Sequence, residues 1–130
     1  MSTMSAVYIN GRFRTADRTE PVLEAATGEL LGQGADATTA NVDEAVAAAR
    51  AALPGWRSTP PEQRAHILSA FADELQRRAR STEELVTREN GMPISLSRGA
   101  NGAFPPALLR YYAHLITTTP QEEVRPSMVG

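Results

Sequence analysis

A chain of 130 residues suits one domain, and its formal net charge of −2 gives no general attraction to nucleic acid or to an anionic membrane. It contains no cysteine and all 13 of its basic residues are arginine, which excludes disulfides, thiolate metal sites, a cysteine nucleophile and lysine Schiff-base chemistry within the chain. Hydrophobic residues make up 42%, but only three Phe, three Tyr and one Trp are among them and much of the rest is alanine, so a thin core is expected.

Met1 to Ala6 has neither the cationic start nor the apolar run of a signal peptide, and no apolar stretch approaches membrane-spanning length. A cytoplasmic protein without a membrane partner is the expectation. Val7 to Arg14 alternates around Asn10-Gly11, a strong hairpin signal because both turn positions need positive φ. A second strand pair is expected at Val22-Leu23 and Glu29-Leu30-Leu31, turned at Ala26-Thr27-Gly28. Gly32, Gly34, Ala35 and Asp36 then read as loop.

Three helical patterns follow between Asn41 and Gly91, joined by stops so short that the helices are expected to fold back on each other. Val42, Ala45, Val46, Ala49 and Leu53 form one helix face, with Asn41 as cap, Glu44 completing a capping box, and Pro54-Gly55 as the stop. The second pattern opens at Thr59, with proline at the first helical position, and turns Leu68, Phe71, Ala72, Leu75 and Ala79 inward. Ser81-Thr82-Glu83-Glu84 reads as a further capping box. It would open a short third helix that stops at Asn90-Gly91-Met92-Pro93.

Beyond Pro93, Ser95, Ser97, Gly99, Asn101, Gly102, Pro105 and Pro106 are all poor in a helix interior, whereas Leu108, Leu109, Tyr112, Leu115 and Ile116 form an amphipathic face. Pro105-Pro106 is expected to kink or break the helix there. The tail from Thr117 has little periodicity.

The search for chemistry is nearly empty. Neither His66 nor His114 is followed at i+4 by a second histidine or a carboxylate that would make a metal pair. Glu83-Glu84 is accounted for by helix-start electrostatics and Arg77-Arg78 with Arg80 by a solvated helix face. Gly99-Ala100-Asn101-Gly102 has no strand before it, so it does not read as a phosphate loop.

Several short motifs occur in a telling order: Thr27-Gly28-Glu29, Val42 to Ala52, Gly55-Trp56-Arg57, Pro60 to Ala65, Glu89 to Pro93, and Arg110-Tyr111-Tyr112-Ala113. Together, from Val7 to Ile116, they resemble the amino-terminal part of the NAD(P)-dependent aldehyde dehydrogenase superfamily. The resemblance implies an α+β fragment, with N-terminal β-hairpins followed by four mainly antiparallel helices, like the start of that family's α/β coenzyme domain. Residues 1–130 would form one such piece, with 1–6 and 117–130 mobile.

In the family a cysteine thiolate attacks the aldehyde, a glutamate activates water, an asparagine serves the oxyanion hole, and NAD or NADP lies on a Rossmann-like sheet. The resemblance places all of these beyond Gly130, so this chain alone is expected to be inactive and to hold no dinucleotide. Two roles carry over. Glu89, with the main-chain carbonyls of Val22 and Leu23, matches a structural site for Na⁺ or K⁺, a hard ion suited to oxygen ligands. Ala100 and Phe104 match positions on the aldehyde tunnel. The implied partner is the remainder of an aldehyde dehydrogenase, homo-oligomeric when complete. The alternative is a truncated, non-catalytic helical module that docks on a full-length relative through exposed apolar faces.

Overall fold

The structure is a computed structural model in which residues 6–120 and 122–128 are described. The mobile ends expected from the sequence fall partly on 1–5, 121, 129 and 130, which lie outside the described residues. Ala6 already belongs to β1, and Thr117 and Thr118 close the last helix.

Strands β1 (Ala6–Ile9) and β2 (Arg12–Thr15) pair antiparallel. Asn10 and Gly11 have φ of 51° and 77°, the positive pair that a tight primed turn demands. The Tyr8 and Phe13 rings, directly opposite, meet edge to face with centroids 4.9 Å apart. Ile9 is the one large side chain of this hairpin to be buried.

Strands β3 (Arg18–Leu23) and β4 (Leu30–Asp36) form a second two-stranded sheet. Here the loop expected at Gly32 to Asp36 is corrected, because the ladder runs from Arg18 opposite Asp36 to Leu23 opposite Leu30. Cross-strand hydrogen bonds over that length override the weak strand propensity of the two glycines. Gly34 also gives the Val22 side chain room, since a Cβ there would already touch Val22 Cγ2 at 3.4 Å. Pro21 is tolerated because β3 is an edge strand that need not donate on its outer side.

Helix α1 spans Thr39–Ser58. Its cap is Thr38 rather than Asn41. The Asn41 amide donates to Thr38 Oγ1 at 3.2 Å and the Thr38 amide to Asn41 Oδ1 at 3.0 Å, so Asn41 is the third residue of a reciprocal box. Pro54 does not stop the helix either. Residues 49–58 are exposed, so the Arg50 carbonyl that loses its donor to Pro54 is open to solvent, and the Ser58 and Thr59 hydroxyls close the end on the Gly55 carbonyl.

The expected fold-back of α1 on the next helix is also corrected. Its principal contact is β1, reinforced by an Arg14–Glu44 ion pair at 2.7 Å, while Val42, Val46 and Leu53 remain exposed. The two residues between the helices, Thr59 and Pro60, are extended.

Helix α2 is a single rod from Pro61 to Asn90, about 45 Å long at the usual rise per residue. The capping box expected at Ser81 does not form. The Ser81 and Thr82 hydroxyls bond back to the Arg78 carbonyl, a pattern compatible with a continuous helix, and Ala79 just before them is buried. The rod ends at Gly91, whose φ of 77° supplies the left-handed cap with its amide on the Thr87 carbonyl.

The chain then returns antiparallel to α2 as α3 (Ile94–Ser97), a π-helical segment (Arg98–Ala103) and α4 (Phe104–Thr118). The break expected at Pro105-Pro106 is absorbed by this widened turn, in which the Phe104 amide reaches the Gly99 carbonyl. Prolines at the start of α4 lose only donors that a first turn leaves unused. The contact with α2 is lined by Ala72, Ala79, Ser97, Gly102, Pro106 and Ala113, all buried and all small, so the backbones lie close. Phe71, expected inward, is instead 53% exposed. No described helix is long and apolar enough to cross a membrane.

Candidate functional site

The end of β3 is fastened to the end of α2. The Ala25 amide donates to the Arg88 carbonyl at 2.8 Å, and Arg88 Nε donates to Glu24 Oε1 at 2.6 Å. That bond from Arg88 holds the Glu24 carboxyl below its ordinary range against the opposing effect of burial, with a weaker contribution from the Thr27 hydroxyl. The Glu24 amide and carbonyl close the turn with Glu29 and Gly28.

This fastening forms a cleft of about 440 Å³ between the second hairpin and the last turns of α2, lined among others by Val22, Gly32, Gly34, Leu85 and Glu89. Val22 and Glu89, which are far apart in sequence, therefore meet here. Leu23 is not brought in. It pairs with Leu30 beside a ladder irregularity and is half exposed.

Among the described residues no group of three His, Asp or Glu side chains could hold a metal ion. The donor set at the cleft is one carboxylate, Glu89, beside a two-stranded sheet whose outer edges have carbonyls outside the ladder. One carboxylate with the Arg88 guanidinium lining the same cleft does not fit Zn²⁺.

Ala100 lies in the π segment and Phe104 opens α4, and both are exposed, Phe104 by 61%. Core packing, the competing role for Phe104, is thereby excluded within the described chain. With Leu96 and Leu108 they form an outward row without a charged side chain, opposite the face that meets α2. Gly99-Ala100-Asn101-Gly102 is helical and not a phosphate loop.

Other charged side chains of α2 form ion pairs along the helix surface. Arg77 and Arg78 both bond Glu74, whose carboxyl is lowered to about 2 chiefly by the hydrogen bond from Arg77, and Arg80 pairs with Glu84. His66 and His114 sit on exposed helix surface. What the sequence reading missed is the buried join of the π segment to α2. Ser97 Oγ donates to the Glu83 carbonyl at 3.0 Å, and Asn101 Nδ2 donates to Ser97 Oγ at 3.1 Å and meets Met92 Sδ at 3.4 Å. Its only trace in the sequence is the spacing of the small residues, five from Ser97 to Gly102 and then four to Pro106.

Two N-terminal hairpins, a long helix and a returning helix with an exposed apolar wall define the class: an α+β segment of β-hairpins followed by packed helices. The sequence matches the aldehyde dehydrogenase family over residues 13–129, and the chain belongs to that family. It is 36% identical over 128 residues to geranial dehydrogenase from Castellaniella defragrans, covering 95% of this chain and 27% of that protein. A variant of aldehyde dehydrogenase C from Pseudomonas syringae, solved with NAD⁺ and octanal, superposes with a TM-score of 0.87 at 29% identity, covering 95% of this chain and 26% of that one. PnpE in complex with nicotinamide adenine dinucleotide gives 0.79 at 32% identity, over 87% of this chain and 24% of that one. The chain thus spans about a quarter of the length of the relatives it matches.

Proposed function

We propose that this segment works within an NAD(P)-dependent enzyme that oxidises an aldehyde to a carboxylic acid, as structural support and as part of the substrate tunnel. The observation that carries the reading is the family match over residues 13–129 together with an exposed, uncharged row at Ala100 and Phe104. The dinucleotide, when bound to the whole enzyme, supplies the hydride acceptor. This chain's own residues do three other things. The α2–α4 hairpin packs, the Phe104 ring walls the tunnel, and Glu89 with the main-chain oxygen of Val22 binds Na⁺ or K⁺ in the cleft.

The partner is the remainder of the dehydrogenase, homo-oligomeric and cytoplasmic. By itself the chain oxidises nothing, since no side chain in it can form a thiohemiacetal. The test is to isolate from its own cells the polypeptide carrying this sequence and to assay aldehyde-dependent NADH or NADPH formation beside the pure 130-residue chain. Turnover by the native polypeptide and none by the isolated chain is expected. Turnover by neither overturns the reading, and turnover by the isolated chain overturns its inactivity. If the native product is itself a 130-residue chain that co-purifies with a full-length dehydrogenase, it is a docking module.

A further inference from the structure

The open end of the α2–α4 hairpin carries an arginine whose side chain finds no acceptor among the described residues. The Arg110–Asp73 ion pair, at 2.8 Å, fixes the antiparallel register of the two helices. Arg64 stands nine residues before Asp73 (73 − 64) and Thr119 nine after Arg110 (119 − 110), so this register brings the start of α2 against the exit of α4. A cavity of about 350 Å³ lies there, lined by Arg64, Leu115, Ile116, Thr119 and Pro120.

All 13 arginines are described, and Arg64 alone is half-buried where the others are exposed. Its Nε is buried and bonds nothing among the described residues, and its side chain forms no ion pair with them. Glu62 and Glu122, the acids nearest to the cavity lining in sequence, are exposed, and neither pairs with it. A buried donor left unbonded costs its full desolvation, and more when the group is charged, as a guanidinium always is. A carboxylate removes that cost, because it brings the opposite charge and its two oxygens match the guanidinium fork. Beyond Arg64 only the Thr119 hydroxyl can donate from the lining side chains, and Leu115, Ile116 and Pro120 are apolar. Such a lining suits a carboxylate on a short hydrocarbon stem better than a free, strongly hydrated anion that needs several donors.

We propose that this cavity is a docking socket in which Arg64 takes an aspartate or glutamate side chain from the remainder of the same dehydrogenase polypeptide. This rests on the reading above that the segment works within a longer enzyme. It goes further in naming the residue that makes the join and the chemistry of what it meets. The occupant belongs to the same polypeptide because in the relatives one chain carries both parts, the matched part being 27% and 26% of its length in two of them.

The test is a crystal structure of the native polypeptide carrying this segment, with its half-life at a fixed inactivating temperature measured for wild type and variants. An Asp or Glu of that polypeptide, outside residues 1–130, is expected within hydrogen-bond distance of the Arg64 guanidinium. Arg64→Met shortens the half-life about tenfold or more, because it leaves the carboxylate buried without its partner. Replacing the located acid by its amide in the Arg64→Met background costs no further loss, since the stranded charge is gone. Arg64 facing Glu122, a second subunit, main-chain carbonyls alone, a free anion or only solvent overturns the proposal, as does an Arg64→Met polypeptide as durable as wild type or two losses that simply add. Aldehyde turnover is assayed separately. Without turnover the proposed function falls while a located contact stands, and turnover without the contact keeps the function and removes the socket.

Discussion

The hydroxyl of Ser97 donates to the main-chain carbonyl of Glu83, 14 residues earlier, at 3.0 Å, and accepts from Asn101 on its other side. One fully buried serine thereby joins the middle of α2 to the start of the returning helix and sets where its widened turn begins. Removing it strands Asn101 Nδ2 on the weak acceptor Met92 Sδ. Ser97→Ala is expected to lower stability by about 1–3 kcal/mol, the cost of a buried polar group left without its partner. A urea titration checks this as a lower midpoint at unchanged slope.

Thr38→Ala removes the hydroxyl that accepts the Asn41 amide and costs about 1 kcal/mol of helix stability. Because α1 rests chiefly on β1 and has no buried residue, the loss is local. Amide hydrogen exchange is expected to speed up in the first turn of α1 and to stay unchanged in α2.

Gly91 holds φ at 77° where α2 stops, with Ala25 beside it. Gly91→Ala forces a Cβ into that conformation and, at 3.4 Å from the Ala25 Cβ, against the end of the second hairpin. The expected cost is about 1 kcal/mol, read as a lower Tm. Gly91→Asn, which tolerates the left-handed region better, loses less.

The Glu74 carboxyl, lowered from 4.5 to about 2 by its bonds from Arg77 and Arg78, links stability to pH. A depressed carboxyl contributes fully above its unfolded value and loses that contribution as pH falls through the folded one. The decline therefore lies between about 4.5 and about 2, and Glu24, lowered by Arg88, acts in the same direction. The Glu74 site is exposed, so the effect is small and is screened by salt. Urea midpoints against pH are expected to fall less steeply over that window for Glu74→Gln than for the wild-type chain.

Features that rest on a few neighbouring residues could be read without coordinates. Asn10-Gly11 makes its turn and Gly91 its stop because positive φ is a local steric demand, and the apolar spacing along Leu68, Ala72, Leu75 and Ala79 announces a helix face for the same kind of reason. The candidate sites were named only through family resemblance, since neither a lone Glu89 nor a lone Phe104 signals chemistry.

Other features were settled by residues distant in sequence. Ser81 had the signature of a cap, but the rod continues beneath it because α3 and α4 pack across that stretch of α2. The glycines of β4 looked like loop until β3 supplied a ladder, and Pro105-Pro106 looked like a break until a π turn took up the misfit. Val22 reached Glu89 while Leu23 did not, because the Ala25–Arg88 bond fixes where the hairpin meets α2. Local signals propose several hydrogen-bonding solutions of similar free energy, and burial against a partner many residues away chooses among them.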